Sequence, residues 1–188
     1  MPGAGRKIPF MTEDLTAPED LPAGIVLRRP VESDHPRLQA ALTDWWGGLG
    51  GEVGALQRRL LVPRLFLQHF ADTSYWAEDS DGGPQAFLIG FLSQTDPRTA
   101  YIHFVGVRPE RQRSGLGGAL YRRFFALVRD RGRTRVRCIT SPGNRNSIAY
   151  HQRLGFRLEP GRRGEDGVPV HPDYDGPGLD RVAFVRDL

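Results

Sequence analysis

Apolar residues fall at helical spacing in some stretches of the chain and in short alternating or continuous runs in others, and the order of these stretches lays out a fold. Ile25 to Arg28 reads as a short first strand. From Val31 to Trp46 the apolar groups Leu38, Leu42 and Trp45 line one face of a helix, which the glycine-rich stretch Gly47 to Gly54 should break. A second helical pattern runs from Leu56 to Phe70, interrupted at Pro63. Ser74 to Glu78 and Gln85 to Ser93 flank the turn Asp79-Ser80-Asp81-Gly82-Gly83-Pro84 and so read as a hairpin.

Thr99 to Val107 is apolar on both faces, as in a strand at the centre of a sheet. Strict alternation would turn Tyr101, His103, Val105 and Val107 to one side and Ile102, Phe104 and Gly106 to the other. Between Gly115 and Arg131 the residues Leu116, Leu120, Phe124, Leu127 and Val128 mark the clearest helix, with Gly132 as its stop. Arg135 to Thr140 follows as a strand and Asn144 to Leu154 as a short helix, and Phe156 to Glu159 pairs with Arg181 to Arg186 across a long loop. The class is α/β in its mixed α+β form: a largely antiparallel sheet with one strand-helix-strand unit over residues 99–140. Residues 1–22, rich in Pro, Gly, Ala and acidic groups without periodicity, read as a tail, and residues 23–188 as one domain.

Composition removes several classes of function. With Cys138 the only cysteine there is no internal disulfide, and no Cys/His cluster has zinc-site spacing, so no metal is expected. Residues 1–24 lack the apolar run of about 7 to 15 residues of a secretion signal, and no later stretch is long enough to span a bilayer. A cytoplasmic protein with no membrane partner is the expectation. The net charge is +4, but 26 basic and 22 acidic residues are interspersed and Lys7 is the only lysine. This is an arginine bias of the whole chain rather than a basic face, so no nucleic-acid partner is expected. A homodimer is compatible with the sequence.

The chemistry concentrates in Val107-Arg108-Pro109-Glu110-Arg111-Gln112-Arg113-Ser114-Gly115-Leu116-Gly117-Gly118, between the central strand and the clearest helix. Glycines at 115, 117 and 118 let the backbone approach a ligand, and the first N–H groups of the helix point at it with the positive end of the dipole behind them. That is an anion cradle. A nucleotide-triphosphate loop would need Gly-Lys-Ser/Thr, and a dinucleotide fingerprint would need glycine where Leu120 stands, so both are excluded.

The segment Gln112-Arg113-Ser114-Gly115-Leu116-Gly117 after Val107-Arg108-Pro109 resembles the coenzyme A loop of the GCN5-related N-acetyltransferases, Q/R-x-x-G-x-G/A after a strand ending V-x-P. A second element of that family, an asparagine opening a short helix that ends in Gly-Phe, is matched from Asn144 to Gly155-Phe156. The resemblance covers residues 25 to 188, is strongest from 99 to 156, and extends to actinobacterial members of the family. It implies a sheet of about six to seven strands flanked by about four helices. It also implies acetyl-coenzyme A as cosubstrate and a primary amine, small-molecule or peptide, as acceptor.

By this resemblance the backbone from Gln112 through Arg113, Ser114, Gly115, Leu116 and Gly117 to Gly118 holds the pyrophosphate, and the edge at Val105, Gly106 and Val107 pairs with pantetheine like another strand. Gly106 is expected at a bulge that opens the sheet. Asn144 is implied as a coenzyme contact or as a helix N-cap, two roles that can hold together. His103 is the candidate base, since an imidazole titrates near neutrality and this one falls where one branch of the family carries a strand histidine; the alternative is a core histidine bonded to a backbone carbonyl. The family's general-acid tyrosine position is held by His151, with Tyr150 beside it as the other candidate acid. Asn144, Ser147 and His151 share one helical face, so His151 either protonates the leaving thiolate or only touches the coenzyme. Cys138 reads as a buried, inert thiol.

Trp45, Trp46, Tyr101 and the loop from Glu165 to Gly178, with Asp166, His171, Asp173, Tyr174 and Asp175, fall where the family builds its acceptor pocket. A solvated acidic loop is the alternative for the latter. A coenzyme A-binding module without catalysis and a nucleic-acid binder are the rival functions.

Overall fold

The computed structural model describes residues 21–46, 51–164 and 166–188. Most of the expected tail, Gly47 to Gly50 and Glu165 lie outside the described residues. In chain order the elements are β1 (Val26–Arg28), α1 (His35–Trp46), α2 (Gly51–Leu61), α3 (Leu65–His69), β2 (Tyr75–Glu78), β3 (Pro84–Leu92), β4 (Thr99–Val107), α4 (Leu116–Asp130), β5 (Arg135–Thr140), α5 (Arg145–Arg153), β6 (Arg157–Leu158), β7 (Arg162–Arg163), β8 (Pro169–Val170) and β9 (Val182–Asp187). Seven strands form one sheet in the order β1-β2-β3-β4-β5-β9-β6, and β7 and β8 make a separate hairpin. Every pairing in the large sheet is antiparallel except that of β4 with β5, as the crossover through α4 requires.

Each face of the sheet is covered. On one, α4 lays Leu116, Leu120, Phe124 and Val128 against Ala86, Leu88, Ala100 and Ile102. On the other, Leu38, Leu42, Val62 and Leu67 from α1, α3 and the segment between α2 and α3 cover Trp76, Phe87 and Ile89. Burying a ring such as Phe124 stabilises by roughly 1.5–3 kcal/mol, and Gly90 makes room for it, since a Cβ there would lie 2.4 Å from the ring. Among the described residues no helix is long and apolar enough to cross a membrane.

Two local expectations are corrected. The glycine stretch does not hold the second helix off until Leu56: α2 begins at Gly51. Packing outweighs glycine's low helix propensity there, because Arg58 donates to the Trp46 carbonyl at 2.6 Å and Gln39 to that of Arg59, fastening α2 to α1. Pro63 does interrupt the pattern, separating α2 from α3.

The second correction concerns the central strand. Ile89 opposes Phe104 while Gly90 opposes Ile102, so the extra residue, and hence the bulge, is His103. Gly106 pairs in register with Phe87. It is glycine because a Cβ would sit 2.6 Å from the Phe87 ring and 2.8 Å from that of Trp46. The bulge also breaks the expected alternation. His103 stacks on Phe66 of α3 and Phe104 packs with the same layer, whereas Val105 and Val107 join Ile102 on the α4 side.

Candidate active site

The bulge coincides with a parting of the sheet. β4 and β5 pair only through Thr99, Ala100 and Tyr101, opposite Arg135, Val136 and Arg137. Beyond Tyr101, β5 continues against β9 and β4 against β3, so among the described residues nothing pairs with the other edge of Ile102 to Val107. A V-shaped opening results, with His103 at its apex and the glycine segment at the far end of β4.

That segment is built to meet an anion. Arg113 has φ 64° and Gly115, the N-cap of α4, has φ 88°, and such left-handed residues curl successive N–H groups into a concave nest. The first N–H groups of α4 have no carbonyl within the helix to bond. A Cβ on Gly117 would lie 3.1 Å from the Tyr150 hydroxyl and 3.3 Å from a Val107 methyl, so this glycine keeps the floor of the cradle low. Gln112 to Gly115 are exposed. Asn144 caps α5 by accepting from the Ser147 N–H at 3.1 Å, and Ser147 is half-buried on the same first turn. The residues present therefore fit a diphosphate held by backbone donors, with the Arg153 guanidinium over the Tyr150 ring nearby.

His103 donates from Nε2 to the carbonyl oxygen of Leu61, at the end of α2, at 2.5 Å. A carbonyl only accepts, so Nε2 carries the proton and Nδ1 of the neutral ring keeps its lone pair. Burial lowers the basicity of the ring; the bond to Leu61 and the negative charge of Asp175 oppose that shift without cancelling it. The alternative drawn from the sequence, a histidine bonded to a backbone carbonyl, is thus what the geometry shows, and among the described residues no hydrogen bond engages Nδ1.

His151 departs from the pair of roles expected of it. It is buried in the core: Nδ1 donates to the Ser147 carbonyl at 2.8 Å, Nε2 accepts from the Tyr121 hydroxyl at 2.8 Å, and the ring stacks on Phe184 at 4.8 Å. Both nitrogens are spent and desolvation holds the ring neutral. The helical face shared by Asn144, Ser147 and His151 points to solvent at its start and into the core one turn later, because Tyr121 of α4 offers a buried partner. Tyr150 is half-buried with its hydroxyl at Gly117, the loop end of the opening. Cys138 is enclosed, and burial pushes its thiol well up.

At the apex, Tyr174 and Asp175 come within electrostatic reach of Tyr101, and Asp175 of His103. Trp45 and Trp46 are half-buried and committed to packing, Trp45 stacked on Phe87 at 5.7 Å and Trp46 edge-on to Phe104 at 6.0 Å. Asp173 is used within its loop, accepting from the Gly178 N–H, and Asp166 pairs with Arg145 at the start of α5. The His171 ring lies 6.1 Å from Tyr174, while its backbone bridges to Arg181. Three groups at the apex had no signal in the sequence. The Leu61 carbonyl is backbone, Phe66 reads as an ordinary apolar helix position, and Arg137 becomes a neighbour of Tyr101 only through the parallel register.

Comparison with known proteins agrees with this architecture. Over 158 residues the chain is 28% identical to the mycothiol acetyltransferase of Pseudarthrobacter chlorophenolicus, covering 80% of this chain and 48% of that protein. Over 93 residues it is 34% identical to the L-2,4-diaminobutyric acid acetyltransferase of Nocardia farcinica, covering 50% of this chain and 48% of the relative. The chain thus spans about half the length of the curated relatives it matches. Among solved structures, the diaminobutyrate acetyltransferase of Paenibacillus lautus, in complex with L-2,4-diaminobutyric acid and coenzyme A, superposes with a TM-score of 0.60 at 23% identity over 86% of this chain and 93% of its own. An acetyltransferase from Thermus thermophilus gives 0.61 at 20% identity, covering 87% of this chain and 97% of that one. The sequence model of the acetyltransferase (GNAT) family matches residues 38–156, which hold most of α1, the bulged strand, the glycine cradle and the Asn144 helix, and the chain belongs to that family.

Proposed function

We propose that this protein transfers the acetyl group of acetyl-coenzyme A to a primary amine by direct attack. The observation that carries the reading is the opening between β4 and β5, with an anion cradle at one end and a histidine with a free nitrogen at the other. A pyrophosphate on the N–H groups of Gln112 to Gly118 directs pantetheine along the free edge of Val105 to Val107 as an added strand and brings the thioester to the bulge. Asn144, Ser147 and Tyr150 flank the loop end of this path. Val107, next to Tyr150, is four residues from His103, roughly 13 Å at about 3.3 Å per residue, so Tyr150 serves the coenzyme rather than the reacting carbon.

The acceptor approaches from the side of Tyr101, Tyr174 and Asp175, with Trp45, Trp46, His171 and Asp173 shaping the walls behind them. Aromatic rings and one carboxylate suit a cationic amine on an apolar body; the amine gives its ammonium proton to solvent as it enters the opening, and His103 Nδ1 takes the second proton, which leaves nitrogen as the amide forms. Backbone N–H groups on the free edge of β4 are suited to hold the developing oxyanion. The relatives' names, which include acetyl transfer to diaminobutyric acid, support a small amine.

The test is release of free thiol from acetyl-coenzyme A with a broad amine panel, alongside calorimetry with coenzyme A. Binding with amine-dependent release supports the reading. Binding without release for any amine makes the chain a coenzyme A-binding module, and absence of binding removes the cradle assignment.

A further inference from the structure

We propose that His103 carries a single proton through the whole reaction, taking it from the acceptor nitrogen and returning it to the coenzyme sulfur. This rests on the acetyl-transfer reading above and adds the group that protonates the leaving thiolate.

Three alternative donors are placed out of reach. His151 has both nitrogens engaged, Nδ1 with the Ser147 carbonyl and Nε2 with the Tyr121 hydroxyl. The Tyr121 hydroxyl gives its own proton to that bond from full burial. Tyr150 places its hydroxyl at Gly117, at the loop end of the opening. His103 stands at the apex with Nε2–H tied to the Leu61 carbonyl, which fixes the tautomer and leaves Nδ1 as the one site that gains and loses a proton.

The groups packed around His103 suit a transient imidazolium. α2 presents the Leu61 carbonyl and α3 the Phe66 face at 4.2 Å, while the Asp175 carboxylate of the loop before β9, itself held by Arg181 Nε at 2.6 Å, acts on the ring through its charge. On its own strand Tyr101 is the nearest titratable neighbour, and burial pushes its phenol well up, so it stays neutral and yields its proton far less readily than an imidazolium does. Asp175 stabilises the charge when it forms, and one histidine serving first as base and then as acid is chemically sufficient.

The balance closes without a further donor. The acceptor reacts as the neutral amine, its ammonium proton already released to solvent; its lone pair forms the N–C bond, and one proton on the now cationic nitrogen passes to Nδ1. The C–S bond then breaks with its electron pair on sulfur, and Nδ1–H delivers the same proton there, giving the amide and free thiol. Nitrogen and sulfur share one tetrahedral carbon, so a ring that reaches one is within about 3 Å of reaching the other.

The test compares acetyl-coenzyme A with its selenoester analogue, whose selenolate leaves without a proton, in the unaltered protein and in His103→Gln, using an amine that turns over. Base and acid roles each contribute about 10²–10⁴-fold. The expected result is that His103→Gln slows the thioester at least tenfold more than the selenoester, with coenzyme A affinity retained as the sign of a folded variant. An equal loss with both esters overturns the shuttle and leaves His103 as a base only. Should His103→Gln not fold, His103→Ala with added imidazole is read the same way: rescue of the thioester rate at least tenfold greater than of the selenoester supports the shuttle, and equal rescue overturns it. If no amine turns over in the unaltered protein, the acetyl-transfer reading has failed instead.

Discussion

His103 and Leu61 lie 42 residues apart in sequence and are joined by one hydrogen bond, from imidazole Nε2 to the main-chain carbonyl, which holds the end of α2 against the bulge of β4. That bond does two things. It fixes which nitrogen carries the proton, and it makes the orientation of the proposed base depend on the end of α2.

The first expected outcome concerns pH. Burial favours the neutral ring, so the acid limb of kcat should have its midpoint below the ordinary histidine value of about 6.5, with activity retained above it. In His103→Ala the rate should fall about 10²-fold or more and the limb should vanish, while coenzyme A affinity stays within a few-fold. A limb that survives the substitution would assign the ionisation to another group.

The glycine cradle gives the second. Gly115 at φ 88° is strained for any L residue by about 1–2 kcal/mol, and Gly117 has no room for a side chain between Tyr150 and Val107. Gly117→Val should abolish coenzyme A binding by calorimetry while the circular dichroism spectrum keeps its helical content. Undiminished binding would move the diphosphate elsewhere.

A third outcome separates folding from chemistry. A Cβ at Gly90 would meet the Phe124 ring, so Gly90→Ala should destabilise by about 1–3 kcal/mol and lower Tm by several degrees, with kcat little changed. A Tm equal to that of the unaltered protein would mean that the ring yields without cost.

Buried neutral histidines also set a direction for stability. His103 and His151 both bind protons less readily in the folded than in the unfolded chain, so the unfolded state takes up more protons below about pH 6.5. Stability from keeping them neutral is fully present above that value and is lost as pH falls toward the folded-state values. Tm should therefore drop between pH 7 and 5, and the drop should shrink in His151→Gln. A slope untouched by that substitution would place the linkage in other groups.

The loop before β9 supplies the last. Val170 is buried in the core, so a shortened loop must spare it; removing residues 172–178 takes away Tyr174 and Asp175 alone of the apex groups. The acceptor KM should rise at least tenfold while coenzyme A affinity stays nearly unchanged. Equal acetylation of the same amines would show that this loop is not the acceptor wall.

The sequence by itself determined the order and type of most elements, though not the short β7–β8 hairpin inside the long loop, because hydrophobic period is a local property: the hairpin before residue 93, the α4 amphipathic face and the strand pair of β6 and β9 all follow from it. It also located the anion cradle, since glycine spacing at a strand-to-helix junction is written in adjacent residues. Tertiary structure decided what adjacent residues cannot encode. The bulge falls at His103 rather than Gly106 because the register of β4 is set by β3, with Gly90 facing Ile102 and Phe104 facing Ile89. His151 is drawn into the core because Tyr121, 30 residues earlier, presents a buried hydroxyl to it. The opening beside His103 exists only because the sheet parts after Tyr101, and the charge of Asp175, 72 residues later, reaches the ring only through the tertiary fold. Pattern fixes which face of an element is buried; long-range register and the partners available inside the core fix which polar side chains remain free to act.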